Sequence, residues 1–202
     1  RLFGVSFREA DAKLWDDKAS AYDLYVDETL RARLYLDLEA RESKRGGAWM
    51  HNWQSHCKDE NNHEQLASAF VVCNFPPSSA ANPSLLRHDD VVTLFHEMGH
   101  ALHHMLSTVN ENGVSGVNGV EWDAVEFPSQ FLENFAYEPE VLKLFAKHHE
   151  NGEILSDLMI EKLVRAKNFQ SAMSMLRQLE FSLFDFKLHL SLYQKEEVQQ
   201  LL

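Results

Sequence analysis

Cysteine is scarce in this chain. Among its 202 residues only Cys57 and Cys73 are cysteines, and they form neither a C-x-x-C pair nor a disulfide framework. Two reduced thiols point to a cytoplasmic protein, and Cys73, inside an apolar run, is expected to be buried. Positive charge is short as well: 19 Lys and Arg against 31 Asp and Glu leave a formal net charge of -12. Nucleic-acid binders need a basic patch, so no nucleic-acid partner is expected. No uninterrupted apolar run is long enough to span a bilayer, so no membrane partner is expected either. The start, Arg1-Leu2-Phe3-Gly4-Val5, lacks an initiator methionine and a signal-peptide layout, and reads as the interior of a longer chain. Internal repeats and low-complexity tracts are missing too.

What is present divides near residue 90. Before it the chain reads as strands and turns. Residues 2–7 are one candidate strand, and 21–26 and 33–38 are two more by their rough period-two alternation. Lys44-Arg45-Gly46-Gly47 signals a turn before Ala48-Trp49-Met50. Residues 51–66 are polar and read as a surface loop. Residues 67–75 (Ala-Ser-Ala-Phe-Val-Val-Cys-Asn-Phe) form the strongest strand, as an interior strand or as an edge open to an extended peptide. Pro76 and Pro77 end it, and 76–88 is a second loop. Helices follow from about residue 90. Asp89 and Asp90 suit a helix N-terminus, and apolar residues from Val91 to Leu106 surround a helix expected to be buried. Residues 107–122 form a loop with Gly113, Gly116 and Gly119, spaced wrongly for phosphate and readable as mobility or as tight turns. Further helices are expected from Val125 with Pro128 in the first turn, and over 138–149, 154–166 and 171–193. The fold class is therefore α+β and mostly α-helical, with a small sheet in a strand-rich part over 1–90 and a helical part over 91–202.

The chemistry concentrates at His96-Glu97-Met98-Gly99-His100. Histidines four apart on a helix share a face, with Cβ atoms roughly 5–6 Å apart. Both imidazoles can then reach one zinc ion, and the glutamate between them can reach a water on its open side. Glu97 lies about 100° round the helix from His96, beside the metal, as a general base rather than a ligand. Catalytic zinc takes a third protein ligand. The candidates downstream are Glu111, Glu121, Asp123, Glu126 and Glu133. Spacing favours Glu126 over Asp123 without excluding the latter. Glu133, seven residues after Glu126, could instead accept a hydrogen bond from a ligating histidine. His103 and His104 read as core or surface histidines, and Tyr137 and Tyr193 as packing residues. Gly99 costs about 1 kcal/mol against Ala in a helix, which small size or a close neighbouring backbone would explain.

These segments resemble the thimet oligopeptidase family, of the bacterial oligopeptidase A type. The resemblance rests on residues 95–104 (Phe-His-Glu-Met-Gly-His-Ala-Leu-His-His), on Gly113-Val114-Ser115-Gly116 and on residues 122–134, which include Val125-Glu126-Phe127-Pro128-Ser129-Gln130. Tyr35-Leu36-Asp37-Leu38, residues 44–50 and Gln178-Leu179-Glu180-Phe181 extend it along nearly the whole chain. The resemblance implies a zincin-like core and one zinc ion held by His96, His100 and Glu126, with Glu97 as the catalytic carboxylate. It implies cleavage of short peptides in a deep channel. It also implies a helical N-terminal half and a later segment with substrate-contacting His and Tyr residues, neither of which falls within 1–202. The competing functions are a peptide-binding module with a structural metal and a zinc hydrolase of a non-peptide amide.

Overall fold

The computed structural model describes residues 3–199. The chain divides into two compact units, one ending at Glu153 and one starting at Ile154. The first unit holds a five-stranded mixed sheet in the order β1-β2-β3-β7-β4, from β1 (Val5–Glu9), β2 (Ser20–Val26), β3 (Thr29–Glu39), β4 (Trp49–Gln54) and β7 (Ala67–Phe75). β3 and β7 run parallel and the other neighbours antiparallel. A small antiparallel ribbon, β5 (Cys57–Lys58) and β6 (Glu64–Gln65), fills the crossover. This is an α+β arrangement.

β7 is buried throughout its first three residues, Ala67 to Ala69, and from there alternates between buried and partly buried residues, with one face on the core. It lies between β3 and β4, so it is an interior strand and not an edge. The edge is β4. The expected 51–66 loop is corrected accordingly: β4 continues to Gln54, and the ribbon occupies part of the rest. Polar residues such as His51 and Gln54 fit a strand whose outer side meets solvent. β1 starts later than expected, because Gly4 turns with φ of 65°; Leu2 lies outside the described residues.

A buried charge cluster ties β3 to the connection leading into β4. Asp37 is 3% exposed. It accepts hydrogen bonds from Arg41 (2.7 and 2.8 Å), Lys44 (2.8 Å) and Trp15 (2.9 Å). Burial alone would raise its pKa, but these donors hold it well below the usual carboxylate range. Lys44 also donates to the carbonyls of Asp37 and Glu39, pinning the turn that leads to β4.

The other face of the sheet receives α1 (His88–Met105). Leu34, Ala69, Val71 and Cys73 meet Ala101 and Met105 in one core. Burial among these residues pushes the Cys73 thiol up to about 12, so it is a packing residue. α1 is less enclosed than its sequence suggests; Ala101 and Met105 are buried, while Val91, Val92 and Phe95 are only half-buried. α2 (Phe127–Glu133) crosses α1, a 3₁₀ turn over Asn134–Tyr137 follows, and α3 (Pro139–Phe145) stops short of the expected His149. The second unit contains α4 (Asp157–Lys167), α5 (Ser171–Leu190) and the short α6 (Lys195–Val198). No helix among the described residues is long and apolar enough to cross a membrane.

Candidate metal centre

α1 begins at a reciprocal cap: the Arg87 N–H donates to Asp90 Oδ2 at 2.8 Å. Asp89 and Asp90 complement the positive end of the helix dipole. Two turns on, His96 and His100 share one face, with ring centroids 4.9 Å apart and planes at 82°. Glu126 sits immediately before α2 and swings its carboxylate back to them. Its Oε2 is 3.2 Å from His96 Nε2 and 3.2 Å from His100 Nε2. Among the described residues these three make the one group whose donor atoms converge as a metal site would need. Asp123, Glu111 and Glu121 stay outside it.

The donor set suits zinc chemically. Bonds of about 2.0–2.1 Å in a tetrahedron put neighbouring donors about 3.3 Å apart, close to the 3.2 Å that separates Glu126 Oε2 from each histidine nitrogen. Two imidazoles and one carboxylate leave a fourth position free. Glu126 is half-exposed, so that position can face solvent.

The surrounding groups orient the set. His96 Nδ1 lies 2.7 Å from Glu133 Oε1, the hydrogen bond anticipated for Glu133. Nδ1 then carries the proton and Nε2 keeps its lone pair toward Glu126. Burial lowers the His100 pKa and favours the neutral ring. Glu126 is held below the usual carboxylate range, chiefly by the hydrogen bond from the Ser129 hydroxyl. Glu97, 7% exposed, moves the other way, because burial raises its pKa. The Met50 backbone N–H opposes that shift by hydrogen bonding, which sets the Glu97 carboxylate against the sheet-edge strand β4.

Gly99 has a clear steric reason. A Cβ there would stand 2.5 Å from Ser129 Cα and 2.6 Å from the Pro128 carbonyl. The α1–α2 crossing needs a residue without a side chain at this point. His104 is a buried core histidine: Nε2 donates to the Gln54 carbonyl at 2.8 Å, and Nδ1 accepts from the Val117 N–H at 3.4 Å. The glycine loop is a set of tight turns, with Gly116 and Gly119 at φ of 67° and 73°. At Gly116 a Cβ would collide with the His104 ring. The residue that sequence reasoning missed is Ser129. It is fully buried and its Oγ donates to Glu126 Oε2 at 2.7 Å. A serine three residues past a candidate carboxylate ligand, in the first turn of its helix, was the available signal.

Residues 1–202 match Peptidase family M3. Oligopeptidase A of Escherichia coli (strain K12) is 47% identical over 191 residues, which cover 94% of this chain and 28% of that protein. Oligopeptidase A of Haemophilus influenzae is 45% identical over 205 residues, covering all of this chain and 30% of that protein. Dipeptidyl carboxypeptidase of Escherichia coli is 34% identical over 191 residues, again 94% of this chain and 28% of its own length. The chain thus spans less than a third of these relatives.

Proposed function

The chain belongs to peptidase family M3, and on that premise we propose that it carries the zinc site and general base of an oligopeptidase that hydrolyses short peptides. The observation that carries this reading is one carboxylate oxygen, Glu126 Oε2, placed 3.2 Å from the Nε2 atoms of both His96 and His100, on the helix that also buries Glu97. His96, His100 and Glu126 are the proposed ligands of a single Zn²⁺ in a zincin-like core. Zinc, when bound, supplies Lewis acidity that polarises the scissile carbonyl and lets a water attack near neutral pH.

The remaining steps belong to the chain's own groups. Glu97 takes a proton from the attacking water and passes it to the departing amine. Burial raises the pKa of Glu97 and so moves its basicity toward that task. Glu133 keeps the His96 tautomer that leaves Nε2 free. The outer side of β4, next to Glu97, offers backbone groups for pairing with an extended peptide. The proposed setting is the cytoplasm, in keeping with two free thiols. We place the chain within a larger catalytic domain, as its share of the relatives' length suggests.

Glu97→Gln tests the mechanism in the complete enzyme. Peptide cleavage should fall by several orders of magnitude while zinc content stays stoichiometric. Turnover that survives the substitution would sink the general-base role.

A further inference from the structure

The burial of Ser129 needs a reason beyond packing. A buried hydroxyl must find a hydrogen-bond partner, and Ser129 Oγ has two within reach, the Glu126 carbonyl at 2.9 Å and Glu126 Oε2 at 2.7 Å. The carbonyl already accepts the Gln130 N–H at 2.9 Å. The hydroxyl has a single proton, and the shorter contact, to a charged acceptor, assigns it to the carboxylate. Oε2 is also the oxygen that faces both histidines, and its two lone pairs allow both roles at once. The serine backbone is itself fixed, because it rests on Gly99, one residue before His100.

We propose that Ser129 is a positioning residue for the metal centre: its buried hydroxyl, anchored on α1 at Gly99, holds Glu126 Oε2 at the point shared with His96 and His100. This rests on the reading of those three residues as metal ligands. Glu126 is half-exposed and its side chain turns about three torsions, so a fixed donor at one oxygen removes most of its alternatives. Glu133 does for His96 what Ser129 does for Glu126. The two anchors sit one turn apart on the same short helix, so α2 brings the third ligand and the orienting groups to α1 as one piece.

The test measures zinc affinity by chelator competition on wild type, Ser129→Ala and Glu126→Ala, with thermal unfolding of each metal-free protein and the visible spectrum of each cobalt-loaded protein. Ser129→Ala should bind zinc about 10–100-fold more weakly, the usual effect of losing a group that orients a ligand. Its cobalt bands should shift, and its metal-free unfolding midpoint should stay near that of wild type. A purely structural serine would lower the midpoint and leave the bands in place. Wild-type zinc affinity in Ser129→Ala, with affinity lost in Glu126→Ala, would overturn the positioning role alone. Unchanged affinity in both variants would overturn the ligand assignment beneath it. If Ser129→Ala does not fold, Ser129→Cys keeps the bulk with a weaker donor and carries the same expectation.

Discussion

Glu133 Oε1 reaches His96 Nδ1 at 2.7 Å, and this contact fixes one ring of the proposed centre. Glu133→Ala removes the acceptor, leaves a ring N–H unpaired and frees the tautomer. Zinc affinity should drop about 10–100-fold by chelator competition. An unchanged affinity would mean that packing alone orients His96. Gly99→Ala has the opposite character, since it adds one methyl group and removes nothing. The helix gains about 1 kcal/mol of propensity. The methyl meets the Ser129 backbone at 2.5 Å, which cannot swing aside like a flexible side chain. Overpacking costs about 1–3 kcal/mol, and a backbone neighbour puts this site at the upper end. Urea denaturation should therefore show a net loss; a gain in stability would mean that α2 shifts freely. The sequence made His96, Glu97 and His100 legible because helical spacing alone places them on one turn. On spacing alone Glu126 was only modestly favoured over Asp123, because the α1–α2 packing decides which carboxylate turns inward; the family resemblance, not the spacing, singled out Glu126. Ser129 left only one trace in the sequence, its place three residues after Glu126, since its role depends on that same packing.

At the scale of elements, three segments meet at His104. It joins the end of α1 to the Gln54 carbonyl of β4 and to the Val117 N–H of the glycine loop. Asn118 adds bonds from the loop to Asn52 and Ser55. Accepting at Nδ1 requires a neutral ring, and burial lowers the His104 pKa. A histidine with a lowered folded-state pKa stabilises fully above its unfolded value of about 6.5, and that stability is lost as pH falls below it. His88 and His103, also lowered by burial, add to the loss. Glu97 acts in the opposite sense, its contribution fading as pH rises above the ordinary carboxylate range. Thermal unfolding of the metal-free chain should thus weaken between about pH 7 and about pH 5, and less steeply in His104→Gln. Identical slopes in the two proteins would show that His104 is not held neutral. The elements themselves were unevenly legible. β7 was plain because one of its faces is core throughout. β4 was hidden because an edge strand can be polar on its open side. α1 looked wholly buried, yet its first turns carry apolar side chains that the described residues only half cover.

For the whole molecule, α5 poses the main question. Its twenty residues include none that is buried. Ala172, Leu176, Leu179, Leu183, Phe186 and Leu190 recur at alternating steps of four and three, the spacing of a seam that packs against another helix. Leu176 is 61% exposed, Leu183 59% and Phe186 68%. Water is a poor neighbour for such a stripe, since each leucine gains about 1.5–3 kcal/mol on full burial. The proposed larger catalytic domain explains it, if the seam is covered there. Residues 1–202 alone should then self-associate, with sedimentation velocity rising with concentration, and Leu183→Glu should keep them monomeric. In the longer protein the same substitution would place a charge in a packed seam, at a cost above about 2 kcal/mol of stability. A solvent-facing α5 would give a change within about 0.5 kcal/mol, the usual effect of a surface substitution. Denaturation of the longer protein with and without Leu183→Glu separates these outcomes, and the smaller change would remove α5 as a reason to place this chain inside a larger domain.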